Sequence, residues 1–147
     1  MEWAPKKNYK NALHWYMKSS ERNLSEAQFA VGNIYNFGKG VPIDYNEAKT
    51  WFVKAANQGN ALAEYNLGVQ FEKGLGVEQD YCEAATWYEL AAEKGYANAL
   101  NNLAVLYEDG LCVKKDEENS ISLYRKAAEL GVSQAKESLK RIGDYSK

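Results

Sequence analysis

The chain repeats itself. Asp44 to Gly59 begins Asp-Tyr-Asn-Glu-Ala-Lys-Thr-Trp-Phe, and 36 residues later Asp80 to Gly95 begins Asp-Tyr-Cys-Glu-Ala-Ala-Thr-Trp-Tyr. A looser third copy runs from Asp116 to Gly131. A fixed period of this size marks stacked supersecondary units, none of which can bury its apolar face alone. The period therefore constrains the architecture more tightly than the length of 147 residues does.

Within each period two helical patterns are joined by a glycine-bearing connector. In the first complete unit Ala27, Val31, Ile34 and Tyr35 share one helical face, and Gly38 supplies the stop. Ser25 with Gln28 has the spacing of a capping box, as do Asp44 with Glu47 and Asp80 with Glu83. Ala48, Trp51, Phe52, Ala55 and Ala56 form the apolar stripe of the second helix. Val41, Val77 and Val113 recur in the connectors and are expected to be buried there. Gly32, Gly68 and Ala104 recur inside the first helices, opposite Ala48, Ala84 and Ser120, where close helix approach demands small side chains. Cys112 replaces the connector glycine of Gly40 and Gly76, so either it adopts a strained backbone or the third connector rearranges.

The expected organisation is a tail at 1–7, a half repeat consisting of a second helix at 8–24, and repeats at 25–60, 61–96 and 97–132. A capping helix at 133–143 and a tail at 144–147 complete it. The capping helix places Ala135, Leu139 and Ile142 inward and Lys136, Glu137, Lys140 and Arg141 outward, as the water-facing end of a solenoid requires. At the other end, Leu13, Trp15 and Tyr16 lack a covering helix. Either the array continues upstream or this end pairs with another copy.

The charge balance of 18 basic and 20 acidic residues, without long runs of one sign, carries no electrostatic footprint for nucleic acid or anionic lipid. No apolar run approaches a membrane span, and the first ten residues lack the apolar segment of a secretion signal. The two cysteines, Cys82 and Cys112, do not recur at the repeat spacing, as a disulfide built into every unit would require. They are expected to be reduced surface thiols, which leans toward an intracellular chain. Asn23-Leu-Ser25 is a sequon that would matter only in a secreted protein.

Ala27-Gln-Phe-Ala-Val-Gly-Asn-Ile-Tyr, Gly38-Lys-Gly-Val-Pro-Ile-Asp, Trp51-Phe52 and Lys54-Ala55-Ala56, with their counterparts from Ala63 to Gly95, resemble the Sel-1-like repeat, a relative of the tetratricopeptide repeat with a longer connector. The resemblance covers roughly Tyr9 to Ile142. It implies an all-α, right-handed superhelix of antiparallel helix pairs whose first helices line a concave groove. It also implies a noncatalytic adaptor or scaffold that binds a protein or peptide there. Transferring the groove positions of the related repeat selects Glu26, Asn33, Phe37, Leu62, Val69, Lys73, Asn98, Asn101, Val105 and Asp109 as partner-binding residues. Phe37, Val69 and Val105 suit an apolar side chain; Asn33, Asn98 and Asn101 suit peptide backbone. Phe29 and Tyr65 on the same helices are read as packing residues, and Asn66 and Asn102 as braces between helices.

No catalytic constellation is legible. His14 is the only histidine, far in sequence from either cysteine. Glu108 with Asp109, and Glu117 with Glu118, are adjacent and so diverge on a helix. No phosphate-binding glycine motif or metal-ligand spacing is present, and no cofactor is expected. Two other readings stay open: a hydrolase acting on cell-wall or antibiotic-type substrates, and a structural spacer within a longer repeat protein.

Overall fold

A computed structural model describes residues 6–22 and 24–143. Asn23 of the sequon, and residues 1–5 and 144–147 of the two expected tails, lie outside the described residues. Eight helices follow one another: α1 (Lys6–Ser20), α2 (Ser25–Phe37), α3 (Tyr45–Ala56), α4 (Ala61–Lys73), α5 (Tyr81–Glu93), α6 (Ala97–Asp109), α7 (Glu117–Glu129) and α8 (Ser133–Ile142). Each packs mainly on the helix before it and the helix after it, so the chain is an all-α solenoid of successive helix pairs. Among the described residues no helix is long and apolar enough to cross a membrane.

The pairs are α2 with α3, α4 with α5, and α6 with α7. In each, the ring at one register of the second helix, Phe52, Tyr88 or Tyr124, is buried between the two helices. A Cβ added at Gly32 or Gly68 would overlap the ring of Phe52 or Tyr88 respectively. Close approach is thus the reason for the helical glycines, and the aromatic ring is the group that approaches. Burying such a ring contributes about 1.5–3 kcal/mol relative to leaving it in water. Tyr16 holds the same register on α1 and is 42% exposed, with Trp15 beside it at 65%. Both are among the residues expected to lack a cover, whereas Leu13, expected with them, is half-buried.

The caps are partly as the spacing suggests. Asp44, Asp80 and Asp116 each accept a backbone N–H three residues on, at 3.0 Å, which is worth on the order of 1 kcal/mol per helix. The reciprocal half of the box is not formed. Glu47 and Glu83 instead accept the indole N–H of Trp51 at 3.1 Å and Trp87 at 3.2 Å. The N–H groups of Asp44 and Asp80 have already found the carbonyls of Tyr35 and Phe71 across the connector. No box forms at Ser25 either: the N-cap of α2 is Leu24, which makes no side-chain bond, and Gln28 is turned into the interior. A cap absent from the expectation sits at Asn60, whose side chain accepts the N–H of Ala63.

The connectors follow one another closely. Gly40 (φ 73°), Gly76 (φ 68°) and Cys112 (φ 62°) share a left-handed conformation, so Cys112 adopts the strained backbone and the third connector does not rearrange. Val41, Val77 and Val113 are half-buried, less enclosed than their recurrence suggests.

The two cysteines are joined, contrary to the expectation of free thiols. Cys82, in the first turn of α5, and Cys112, in the connector after α6, form a disulfide with Cα atoms 5.0 Å apart. The connectors of the second and third repeats each lie against the start of the second helix of the repeat before. At the preceding junction a Cβ on Gly76 would strike Cβ of Tyr45. A cross-link between repeats needs one cysteine on each side of a single junction, so recurrence in every unit is not required. The bond also removes the ground for placing the chain in a reducing compartment.

Candidate functional site

The ten positions drawn from the related repeat all lie on α2, α4 and α6. Glu26, Phe37, Leu62, Lys73, Asn98 and Asp109 are exposed, and Asn33, Val69, Asn101 and Val105 are half-buried. Phe37 is the most open large apolar residue of the set at 60%, with Lys39 Nζ 5.6 Å from its ring centre. The Oδ1 atoms of Asn33 and Asn101 are closed off and accept no hydrogen bond. The amide nitrogen of Asn33 is therefore the group that side chain has left to offer a ligand, while that of Asn101 already donates to Asn102 Oδ1 at 3.3 Å.

The packing residues of the same helices behave as expected. Phe29 lies 5.9 Å from Phe52, and Tyr65 lies 5.9 Å from Tyr88 and 5.0 Å from Tyr96, centre to centre. Asn102 braces α6 to α5 by donating to the Tyr88 hydroxyl at 3.2 Å, whereas Asn66, which would meet Phe52 at that register, makes no such bond among the described residues.

Two registers of the first helices are buried although their residue types change, and internal partners account for the changes. At one, Gln28 accepts from Gln58 at 2.6 Å, Glu64 pairs with Lys94 at 2.5 Å, and Leu100 needs neither. At the other, Ile34 and Leu106 are plainly apolar, while Gln70 donates to the carbonyl of Tyr45 at 3.2 Å. These polar pairs lie 25 to 30 residues apart in sequence. For Gln28–Gln58 and Glu64–Lys94 the one legible sign is that the paired positions change together from repeat to repeat; Gln70 bonds a backbone carbonyl and leaves no such sign.

A hydroxyl–carboxylate pair recurs on the same helices. The Tyr88 hydroxyl donates to Glu72, and the Tyr124 hydroxyl donates to Glu108 Oε2 at 2.7 Å. Burial, then the hydrogen bond to the carboxylate, raises both phenols above their ordinary range, Tyr124 to about 12. Burial alone would raise Glu108. The hydrogen bonds from Tyr124 and Arg141, with the charge of Arg141, outweigh it and hold the carboxyl below its usual range.

Elsewhere, an open cleft between the C-terminal end of α1 and the α2–α3 pair is lined by Ser20, Glu21, Gln28, Trp51, Lys54 and Gln58. His14 stands beside Trp15 on α1. Among the described residues no group of three or more His, Cys, Asp or Glu could hold a metal ion.

Paired helices of 12 or 13 residues, a period of 36 residues and an accessible face on the first helices define a helical-repeat solenoid. The Sel1 repeat model matches residues 3–24, 25–60, 61–96 and 97–132, and the chain belongs to the Sel1 repeat family. It is similar to a protective antigen of uropathogenic Escherichia coli strains displaying an SLR fold, at 38% identity and TM-score 0.83, over 86% of this chain and 27% of that one. A Sel1 repeat protein from Oxalobacter formigenes matches at 38% identity and TM-score 0.83, over 96% of this chain and 57% of that one. Helicobacter pylori cysteine rich protein B shares the fold at 23% identity and TM-score 0.71, over 95% of this chain and all of that one. The chain thus spans between about a quarter and just over half of the first two. No curated protein matches the sequence. Sel1 repeats are generally protein-interaction modules, and the family is typically noncatalytic.

Proposed function

We propose that this chain is a noncatalytic adaptor or scaffold segment that binds a peptide or protein partner along α2, α4 and α6. The observation that carries the reading is the contrast between two kinds of changing position. Where residue type changes at a buried register, an internal partner explains it, as Gln58 does for Gln28 and Lys94 for Glu64. Glu26, Leu62 and Asn98, and likewise Phe37, Lys73 and Asp109, change just as freely at accessible registers. The side chains of Glu26, Lys73 and Asn98 make no hydrogen bond or ion pair among the described residues. Apolar seats at Val69 and Val105 between amide and charged groups suit an extended peptide that offers both side chains and backbone.

The test replaces Val69 and Val105 together with glutamate. Helicity by circular dichroism should survive, because both positions are only half-buried, while binding of a selected partner should be lost. Undiminished binding would move the site off this face and favour a spacer role.

The open ring of Tyr16 supports a second contact at α1, made by self-association. A first-helix-type segment from another copy would cover it as α2 covers Phe52. Light scattering that shows a strict monomer at all concentrations would count against this contact.

A further inference from the structure

Glu72 on α4 and Glu108 on α6 occupy one register in successive repeats and share a tyrosine partner, while the cations beside Glu108, Lys115 and Arg141, have the uncharged counterparts Gln79 and Val105 one repeat earlier. Each carboxylate receives the hydroxyl of the tyrosine 16 residues further on, Tyr88 or Tyr124. Each tyrosine has a second polar neighbour at a shared register of the next first-type helix: Asn102 for Tyr88 and Ser138 for Tyr124. Glu108 then receives Arg141 of α8, whose Nη2 lies 2.6 Å from Oε1 and 2.9 Å from Oε2. One repeat earlier, the register of Arg141 is held by Val105, which has no charge to offer. Glu72 makes no ion pair with any described residue.

We propose that Glu72 is a seat for a guanidinium group, filled by an arginine side chain of the bound partner, and that Arg141 on Glu108 is the chain's own copy of that contact. The seat rests on the reading of the first helices as the partner surface and names the chemistry that surface selects. In the copy at Glu108 a guanidinium reaches both oxygens through Nη2 while the Tyr124 hydroxyl also holds Oε2, so a guanidinium is the group this arrangement is seen to accept. The Tyr88 hydroxyl already fixes one oxygen of Glu72, so little side-chain freedom remains to be lost on binding. Val69 and Val105, half-buried beside the seat, offer apolar surface to the aliphatic stem of the arriving arginine. The first repeat has no such seat, because Asn36 and Phe52 stand where the carboxylate and the hydroxyl would be. The partner's arginine is therefore placed at the junction of the second and third repeats.

Two experiments separate the seat from the surface on which it lies. The first needs no partner: Val105→Arg should refill the seat from within, as Arg141 does one repeat later. In a thermal double-mutant cycle, Glu72→Gln should then lower the melting temperature more in the Val105→Arg background than in the wild type. Equal shifts would overturn the seat.

The second pans a displayed random dodecapeptide library on the full chain. Arginine should be enriched at one fixed position. Glu72→Gln should weaken a selected peptide roughly tenfold, and replacing that arginine by citrulline should weaken it on the wild type with no further loss on Glu72→Gln. Binders that lack a basic preference, or that are indifferent to Glu72→Gln, would overturn the seat and leave the surface reading intact. A library that yields no binder sensitive to the paired Val69→Glu and Val105→Glu change would overturn the surface reading and the seat with it.

Discussion

The ring of Tyr88 occupies the space that a Cβ on Gly68 would need. Glycine within a helix costs about 1 kcal/mol relative to alanine, so the fit of the ring must return more than that. Leucine at Gly68 should overpack the pair by on the order of 3 kcal/mol, lowering the melting temperature by roughly 10 °C and broadening the transition. Alanine should be milder, since Ala104 holds the same register opposite Tyr124 in the third repeat. Calorimetry on both variants checks this. A melting curve unchanged by leucine would show that the helices do not approach here.

The bond between Cys82 and Cys112 closes a loop across 30 residues, for which loop entropy gives about 3–4 kcal/mol of stabilisation. Without reductant, neither thiol should react with iodoacetamide. Reduction, or the double change to serine, should lower the midpoint of urea unfolding accordingly. Pairing Cys82→Ser with Cys112→Gly should recover about 1 kcal/mol over the double serine variant, because glycine adopts the φ of 62° at residue 112 without steric cost. Rapid alkylation of the native protein would contradict the cross-link.

Glu64 is 2% exposed and Lys94 is the only cation paired with it among the described residues, while the lysine itself keeps contact with water. Lys94→Ala should strand a buried carboxylate and cost about 1–2 kcal/mol, less than for a fully buried pair because the lysine end is solvated. The other repeats suggest the repairs. Glu64→Gln with Lys94→Gln copies the bonded pair Gln28–Gln58, and Glu64→Leu with Lys94→Leu copies the residues at 100 and 130. Both double variants should be more stable than Lys94→Ala in chemical denaturation. If neither is, the pairing is not what sets the residue types at this register.

Tyr124, raised to about 12 by burial and by Glu108, binds its proton more tightly folded than unfolded. Its contribution is complete below the unfolded phenol value of about 10 and is lost as pH rises from there toward 12. The stability gap between wild type and Tyr124→Phe, measured by urea unfolding, should therefore narrow across that window. Tyr88 is raised as well, so Tyr124→Phe should still lose stability at alkaline pH. Glu108 has the opposite sign: held low, it stabilises above the ordinary carboxylate range and loses that contribution as pH falls. A gap that stays constant above pH 10 would contradict the Tyr124 linkage.

Much of the frame was legible because it is local. Asp44, Asp80 and Asp116 cap helices within three residues of themselves, and the stripe from Ala48 to Ala56 is a periodicity within one helix. The inner face of α8, from Ala135 to Ile142, was legible for the same reason. The second half of each capping box was not, because Glu47 and Glu83 had a choice between a backbone N–H and an indole, and tertiary placement of the cap made the choice. The candidate binding residues came from the register of a related repeat. Six of them are exposed and four half-buried, and the inward turn of the amide oxygens of Asn33 and Asn101 is a matter of side-chain packing.

The sequence by itself determined that this chain is a stack of paired helices, since a 36-residue period of apolar stripes, caps and glycines leaves no other way to bury its aromatic residues. Only the tertiary structure decided what happens between repeats: that Cys82 meets Cys112, that Gln58 and Lys94 return to Gln28 and Glu64, and that Arg141 reaches Glu108 while Glu72 has no such partner. Helical periodicity is written in neighbours three and four residues apart, whereas these contacts join residues 30 or more apart. Such pairs become neighbours only once the stacking of one repeat on the next has set the distance between them.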